Sequence, residues 1–402
     1  MQTQLTEKYL QTPEGREAES ILRNCVHCGF CTATCPTYQL LGDELDGPRG
    51  RIYLMKQVLE GNEVTQKTQS HLDRCLTCRS CESTCPSGVQ YGRLVDIGRH
   101  IVEQQVDRPF SEQIQRKLLR KVIPNPALFK SLLTLGMFFK PVLPAKLKNK
   151  IPSMPKKSLW PTTDHMRKML VLDGCVQPLT APETNVATAR VLDKLGISLI
   201  RADGAGCCGA VSHHLSAHEE GLDYMRRNID AWWSYVENGV EAIINTASGC
   251  GVVVKDYGKL LEHDKFYAEK AKKISDLAKD LSEIISQEDL SQLNVNNNKK
   301  IAFHSPCTLQ HGQKIVGIVE KILTDAGYQL TDVADAHLCC GSAGTYSILQ
   351  SELSQQLLDN KLDSLQADSP DIIATANIGC QMHMASKADV PVKHWIELLE
   401  VQ

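Results

Sequence analysis

The spacing of hydrophobic residues along this chain changes near residue 169. Before that point, apolar residues recur three or four positions apart, which is the period of a helix with one buried face. This period predicts a helical segment over residues 1–24, a helix from Ile52 to Leu59 and a helix that contains Leu94 and Ile101. The N-terminal part of the chain is therefore expected to be α-helical.

From Met169 onward, short apolar strands alternate with amphipathic helices. We predict strands at Met169–Cys175, Ile197–Ile200, Glu241–Thr246, from Lys300 toward Cys307, Gln329–Val333 and Asp371–Thr375. The predicted helices are Ala187–Leu195, Leu222 to Val236, Ile315–Leu323 and Leu353 to Leu362. Alternation of this kind is typical of parallel α/β units, whose ligand sites gather at the carboxyl ends of the strands.

Between the two sets of strands, apolar residues from Ala271 to Ile284 have helical spacing and predict one connecting helix. The polar tract Asn294–Asn298 that follows predicts a loop.

Two runs of cysteines with identical spacing, C-x2-C-x2-C-x3-C-P, lie in the helical part. The runs are Cys25, Cys28, Cys31, Cys35 and Cys75, Cys78, Cys81, Cys85. Bacterial-type ferredoxins hold [4Fe–4S] clusters with this spacing, and the fourth cysteine of each run binds the other run's cluster. The predicted ligand sets are Cys25, Cys28, Cys31, Cys85 for one cluster and Cys75, Cys78, Cys81, Cys35 for the other.

A zinc ribbon or a disulfide knot is the alternative interpretation of these runs. Zinc is satisfied by two C-x2-C pairs and does not require a third and fourth cysteine followed by proline in both halves. Two iron–sulfur clusters are therefore the favoured prediction.

Eight further cysteines follow the predicted strands, four in each α/β unit. Cys175, Cys207 and Cys208 recur as Cys307, Cys339 and Cys340 at an offset of 132 residues, and Cys250 recurs as Cys380. The offset indicates a duplicated domain with a Cys-Cys-Gly sequence in each copy. We interpret the four thiols of each copy as ligands of a further iron–sulfur cluster or another metal.

Inert buried thiols, a vicinal disulfide and a cysteine nucleophile are the alternatives for these eight residues. Histidines adjacent to them could tune or replace a ligand, although none is assigned as one: His213, His214, His304, His337 and His383. No catalytic residue is assigned. The chain has no Gly-x-Gly-x-x-Gly after a strand, so no flavin or nicotinamide fingerprint is found.

Residues 116–168 carry thirteen Lys or Arg residues against a single acid, Asp164, together with seven prolines. The segment is interpreted as a broken linker that packs over both neighbouring domains, or as a basic, apolar segment that lies on an anionic membrane surface. Nucleic acid is not an expected partner, because the chain has no recognisable reading module and a formal net charge of −3.

Composition indicates the class of the protein and whether it is exported. The 402 residues can hold two or three domains, and 42% hydrophobic with 23% charged residues is ordinary for a globular protein. The N-terminus lacks the apolar core of a signal peptide and no run is long enough to span a membrane. We therefore expect a protein that is not exported and whose sixteen cysteines stay reduced as metal ligands.

These features together resemble the family of Cys-Cys-Gly-domain proteins. The family includes B-type subunits of heterodisulfide reductase, the small subunit of anaerobic glycerol-3-phosphate dehydrogenase, lactate-utilisation subunits and glycolate oxidase iron–sulfur subunits. The resemblance is strongest to the last group, through Cys25-Val-His-Cys-Gly-Phe-Cys31, Leu45-Asp-Gly-Pro-Arg-Gly-Arg51, Thr246-Ala-Ser-Gly-Cys250 and Thr375-Ala-Asn-Ile-Gly-Cys380. Ala247 and Asn377 occupy positions where heterodisulfide reductase has an additional cysteine, which argues against heterodisulfide chemistry.

The resemblance implies an electron-transfer subunit of a glycolate dehydrogenase complex. Two flavin-type partner subunits, which carry FAD, would oxidise glycolate to glyoxylate, and this chain would pass electrons toward a quinone or other acceptor at the cytoplasmic face of the inner membrane. The alternatives are an iron–sulfur subunit of a lactate or anaerobic glycerol-3-phosphate dehydrogenase, and a disulfide or quinone reductase acting at the Cys-Cys-Gly sites.

The predicted fold is an α-helical two-cluster ferredoxin domain followed by a duplicated α/β Cys-Cys-Gly domain. The expected divisions are a ferredoxin domain over residues 1–110, a basic linker over 111–168, a first repeat over 169–265, a connecting helix and loop over 266–299, and a second repeat over 300–402.

Overall fold

Helices form the whole N-terminal part of the computed structural model, which describes residues 1–139, 159–293, 295 and 298–400. The helices before residue 110 are Glu7–Leu10, Pro13–Asn24, Phe30–Ala33, Pro36–Leu41, Pro48–Leu59, Gln66–Asp73, Ser80–Thr84 and Tyr91–Glu103. Local sequence explains several of their starts. Pro13, Pro36 and Pro48 occupy first helical positions, where the missing N–H has no cost, and Thr12 caps its helix by accepting from Gly15 N at 3.1 Å.

The core of this domain lies between Pro48–Leu59 and Tyr91–Glu103. Met55 and Leu94 are completely buried there. The two helices approach closely because Gly98 has no side chain: a Cβ at that position would lie 2.5 Å from Met55 Sδ. The first cysteine run precedes this helix pair in sequence and the second lies between its two helices, so the packing fixes the two runs relative to each other.

Two further helices, Phe110–Val122 and Pro126–Phe139, lie within the segment interpreted as a linker. Arg116 contacts Asp73 of the ferredoxin domain at 3.0 Å, and Arg120 contacts Glu220 of the first repeat at 3.4 Å. The first of these helices therefore bridges the two domains. The rest of the basic stretch, residues 140–158, lies outside the described residues.

Two four-stranded parallel sheets follow. The first has the order β2-β1-β3-β4, with β1 Arg167–Val171, β2 Ile197–Arg201, β3 Ile243–Asn245 and β4 Ala278–Asp280. The second repeats this order as β6-β5-β7-β8, with β5 Lys300–His304, β6 Gln329–Leu330, β7 Ile372–Thr375 and β8 Val392–His394. The predicted fold class, a helical ferredoxin-type domain before a duplicated α/β domain, is confirmed.

Helices connect the strands of both sheets. Those of the first repeat are Gln177–Thr180, Pro182–Lys194, Ala210–His214, His218–Glu237, Ser248–Lys255, Tyr257–Leu260, Ala268–Leu277 and Leu281–Ile285. Those of the second repeat are Ile318–Asp325, Tyr346–Leu349, Ser351–Gln366 and Ile378–Ala385. Within the described ranges, no helix combines the length and the apolar character that a membrane crossing requires.

The prediction of one connecting helix from Ala271 to Ile284 is wrong. The helix ends at Leu277, and the next three residues form β4, which pairs with β3 through Ala278 and Ile243. Buried Asp280 then caps a new helix, because its carboxylate accepts from Ser282 N at 3.0 Å. Most of the polar tract predicted as a loop, at positions 294, 296 and 297, lies outside the described residues.

The carboxyl ends of the two central strands meet. Ser248 N donates to Ala376 O at 3.1 Å, and His394 Nε2 donates to Thr246 O at 2.8 Å. Because ligand sites of parallel sheets form at these ends, the contact brings the cysteine loops of both repeats toward a common interior.

Candidate iron–sulfur centres

The two ferredoxin-type loops have the same unusual backbone. His27 and Gly29 in the first loop, and Thr77 and Arg79 in the second, all have positive φ, between 52° and 84°. Left-handed residues on both sides of the central cysteine wind the chain tightly, so that N–H groups point inward. Thr77 N, for example, donates to Cys75 Sγ at 3.4 Å. Such loops can surround a compact anionic group.

The thiols of the two runs gather in two crossed groups. One cavity is lined by Cys25, Cys28, Cys31 and Cys85 and a second by Cys35, Cys75 and Cys78, and Cys81 lines both. Each cavity thus contains the first three cysteines of one run and the fourth cysteine of the other. The cysteine spacing predicts the same grouping for two clusters.

Without a bound metal, these thiols are hard to ionise, because burial and neighbouring thiolates raise their pKa. Burial raises the pKa of Cys31 to about 11, with a further contribution from the adjacent Cys25. Burial, the Cys78 thiolate and the Cys75 thiolate likewise raise the pKa of Cys81 well above its usual range. Several thiolates in one pocket repel one another, and bound metal would remove that repulsion. The donor set therefore fits an iron–sulfur cluster in each pocket.

A buried cation lies beside the second group. The Arg51 guanidinium donates to His71 O at 2.7 Å and to Thr37 Oγ1 at 3.1 Å. Burial acts to lower the pKa of Arg51, and the Cys75 and Cys35 thiolates are close enough to raise it. Tyr91 adds a neutral donor, with its hydroxyl 3.6 Å from Cys75 Sγ. Both groups stabilise negative charge at this centre.

Gly50 explains why this arginine can reach that position. A Cβ on Gly50 would lie 2.1 Å from Glu44 O, so only glycine permits the helix that starts at Pro48 to contact the preceding turn. Arg51 and Tyr91 were not predicted as site residues. The motif that includes Arg51 was noted only as part of the resemblance.

In the first repeat, the four predicted thiols lie together, three of them buried and Cys250 half-buried: Cys175, Cys207, Cys208 and Cys250. The pKa of Cys207 is held well below its usual range because the thiols of Cys175 and Cys208 donate to its sulfur, as does Gly209 N. One stable thiolate among protonated thiols is a favourable starting point for metal binding.

The second repeat forms the equivalent group from Cys307, Cys339, Cys340 and Cys380. Cys307 Sγ and Cys339 Sγ lie 4.0 Å apart, and Gly341 N donates to Cys339 Sγ at 3.4 Å.

The glycine of each Cys-Cys-Gly sequence has a steric role. Gly209 and Gly341 have φ of 91° and 86°. A Cβ on either would lie 2.6 Å from a backbone oxygen of the helix that follows, at Gly221 or Ser354. Glycine is therefore required to turn the cysteine pair into the interior.

The second repeat touches the ferredoxin domain at its thiols. Cys78 packs into the buried group that contains Cys307 and Cys339. Burial and the Cys307 thiolate raise the pKa of Cys78 well above its usual range. Ser83 Oγ, near the same loop, lies 2.9 Å from His311 Nδ1. The second ferredoxin-type centre and the second repeat's thiols are thus direct neighbours.

Of the five histidines noted beside the cysteines, His213 lies in a stack of rings between the first repeat and the ferredoxin domain, and His214 lies beside it. The ring of His213 stacks on His218 at 4.4 Å, and His218 stacks on His100 at 4.1 Å. His214 reaches Asp96 at 3.3 Å. His383 lies 3.1 Å from Ser354 Oγ, whereas His304 faces two of the thiols. The sixteen cysteines are free, so no disulfide forms among the described residues.

Family models match the chain on both sides of the linker. Residues 21–89 match a 4Fe-4S dicluster domain, and residues 169–255 and 301–385 match a cysteine-rich domain. The chain is 59% identical over 401 residues to the glycolate oxidase iron-sulfur subunit of Escherichia coli (strain K12), covering 100% of this chain and 98% of that protein. The chain belongs to the family of glycolate oxidase iron–sulfur subunits. Its predicted resemblance is therefore confirmed.

Two relatives are less similar in sequence. A probable glycolate oxidase iron-sulfur subunit of Bacillus subtilis (strain 168) is 30% identical over 400 residues, covering 92% of this chain and 89% of that protein. Lactate utilization protein A of Bacillus licheniformis is 25% identical over 242 residues, covering 58% of this chain and 98% of that protein.

Proposed function

We propose that this chain is the iron–sulfur electron-transfer subunit of a glycolate dehydrogenase complex. Two [4Fe–4S] clusters are held by the crossed sets, Cys25, Cys28, Cys31, Cys85 and Cys75, Cys78, Cys81, Cys35. A further cluster in each repeat is held by Cys175, Cys207, Cys208, Cys250 and by Cys307, Cys339, Cys340, Cys380. When bound, such clusters supply one-electron redox chemistry.

The contact of Cys78 with Cys307 and Cys339 is the observation that carries this proposal. It joins the proposed ligands of one ferredoxin-type centre to those of the second repeat by direct packing. A chain whose thiol groups adjoin in this way suits transfer of single electrons between centres rather than independent storage.

Glycolate oxidation itself belongs to partner subunits. Removal of two electrons from a 2-hydroxy acid needs an organic acceptor such as flavin, and this chain has no flavin fingerprint. We therefore assign FAD and substrate to two flavin-type partners, and a quinone or other acceptor to the far end of the relay. The names of the full-length relatives favour glycolate over lactate.

Contact with the cytoplasmic face of the inner membrane is assigned to the helices after residue 110. Phe110, Ile114 and Leu118 follow one another at intervals of four and are 76%, 41% and 56% exposed. Lys117 and Lys121 lie on the same exposed helix. An apolar row beside cations is the chemistry of a helix that lies on an anionic bilayer surface.

The relay is tested by Cys339→Ser in the assembled complex. Loss of this soft ligand disturbs the second repeat, so that reduction of the terminal acceptor should fail while glycolate still bleaches the partner flavin. Stopped-flow absorbance and steady-state acceptor reduction separate the two steps. Ile348→Ala, an exposed change in the same repeat, is the matched control.

Two outcomes would contradict the relay. If glycolate no longer bleaches flavin in an assembled, flavin-replete complex, the repeat participates in substrate chemistry. If both steps keep wild-type rates, Cys339 is structural.

A further inference from the structure

Three side chains of types that can bind a metal lie close together at the carboxyl end of β5 in the second repeat. One donor atom each from His304, Cys340 and Cys380 lies within 4.8 Å of the others. The residues are 2%, 1% and 5% exposed. His304 is the last residue of β5, so the strand fixes its backbone beside the cysteine loops.

Among the described residues, only one ring nitrogen of His304 has a hydrogen-bond partner. Its Nδ1 lies 3.1 Å from Thr375 Oγ1 on the adjacent strand β7. Its Nε2 is buried and has no hydrogen-bond partner among the described residues. A hydrogen bond at one ring nitrogen is how proteins orient a histidine that binds metal through the other. In the tautomer that carries hydrogen on Nδ1, the Nε2 lone pair is available to a metal.

The first repeat lacks this donor. The offset of 132 residues that relates the cysteines places Leu172 opposite His304, and Leu172 is buried in an apolar group. Cys208 and Cys250 correspond to Cys340 and Cys380. The two duplicated sites therefore have the same thiols but differ by one imidazole.

We propose that His304 Nε2 is a metal ligand of the second repeat's centre, together with Cys340 and Cys380. The metal is one that accepts both imidazole and thiolate, iron of a cluster or zinc. Asn377 supports the site from outside, since its Nδ2 donates to Cys380 Sγ at 3.4 Å. This inference rests on one part of the proposed function, namely that the second repeat holds a metal.

An imidazole ligand makes the two repeats chemically unequal. Where the His304 imidazole binds an iron in place of one of the four thiolates, that iron carries less negative charge than its counterpart in the first repeat, and in clusters with histidine ligands this raises the reduction potential. An iron centre in the second repeat would therefore be the better electron acceptor of the two. That is the repeat which adjoins Cys78.

The test uses the full chain, purified without oxygen and grown with ¹⁵N-labelled or unlabelled histidine. Pulsed EPR of the reduced chain detects imidazole bound to paramagnetic iron, and X-ray absorption at the zinc edge counts nitrogen against sulfur if zinc is present. We expect bound imidazole nitrogen in the wild type. The signal should be lost in His304→Cys, which keeps a ligand and the metal, and in His304→Leu, which copies the first repeat and should lower metal content.

His337→Leu is the matched control, because His337 also lies near the cysteine pair but belongs to no converging donor group among the described residues. Its nitrogen signal should equal that of the wild type. The proposal is overturned if neither technique finds nitrogen on a metal in the wild type, or if the signal persists in His304→Cys. Electron transfer from the flavin partners, measured separately, shows whether the proposed function fails independently.

Discussion

Arg51 Nη2 lies 3.3 Å from Asp46 Oδ1, and both side chains are only 1% exposed. The carboxylate is shared, since Arg74 Nη1 reaches its other oxygen at 2.9 Å and His71 Nδ1 lies 3.1 Å from Oδ1. A buried ion pair of this kind is costly to desolvate and contributes little net stability compared with apolar packing. Its value here is electrostatic, because it places a cation beside Cys35 and Cys75.

Arg51→Met should lower the reduction potential of the centre held by the second cysteine group. A unit charge several Å away at an effective dielectric constant of about 20 contributes on the order of 1–2 kcal/mol, or roughly 50–100 mV for one electron. Potentiometric EPR titration of the full chain measures the shift. Arg51→Lys, which keeps the charge, should shift the potential less, and Lys321→Met, at an exposed pair, should leave it unchanged. If the wild type and Arg51→Met have equal reduction potentials, Arg51 has no electrostatic role at this centre.

Cys85→Ser should disturb the cluster of the first cysteine run, although Cys85 belongs to the second. Conversely, Cys35→Ser should disturb the cluster of the second run, because the cavities exchange the fourth cysteine. About eight irons are expected for two clusters, and each variant should lose or convert roughly half of them. EPR distinguishes which cluster changes, with Ile348→Ala, at an exposed residue of the second repeat, as the control. If each substitution affects the cluster of its own run, the crossed assignment is wrong.

Acid should weaken the contact between the ferredoxin domain and the first repeat through His213. Burial lowers the pKa of His213 to about 4. The Asp96 carboxylate acts in the opposite direction, whereas the positive charges of His214, Arg93 and His100 lower the pKa further. Since the unfolded imidazole titrates near 6.5, the unfolded state binds more protons below that pH. Stability is thus complete above about pH 6.5 and is lost as the pH falls toward 4, by at most ~3 kcal/mol.

The measurement is the difference in thermal midpoint between wild type and His213→Gln across this pH range, which cancels acid effects on the clusters. The wild type should lose stability relative to the variant as pH falls. His263→Gln, at an exposed histidine, should follow the wild type. Parallel curves for wild type and His213→Gln would contradict the prediction.

Lys117→Glu with Lys121→Glu should reduce binding to vesicles that contain phosphatidylserine, by about 1 kcal/mol for each cation removed and more on reversal. Ile114→Asn with Leu118→Asn should weaken binding to all vesicles, since it removes inserted apolar area. Co-sedimentation with and without anionic lipid measures both effects. If both double variants sediment like the wild type, membrane contact does not involve this helix.

Periodicity predicted most helices and strands because each buries one face against a core that local spacing reveals. It failed at β4 and β8, which are three residues long and are defined by pairing with β3 and β7. Strands this short have no period of their own. Sequence could not separate Ala278–Asp280 from the helices on either side.

The cysteines were predictable as candidate ligands because their spacing is a local property. The supporting groups were not, since Arg51 and Tyr91 reach the second thiol group through tertiary packing. His304 was noted only as a neighbour of cysteines. Its distinction from the other histidines depends on the orientation given by Thr375 and on a missing hydrogen bond at Nε2, neither of which the sequence records.

The hydrogen bond from His394 to the carbonyl of Thr246 ties the first cysteine site to the last strand of the chain. Thr246 precedes Cys250 by four residues, and its carbonyl accepts from a side chain 148 positions later. During synthesis on the ribosome, this hydrogen bond can form only after His394 has emerged. A chain that stops before His394 would leave the Thr246 carbonyl, four residues before Cys250, without this donor.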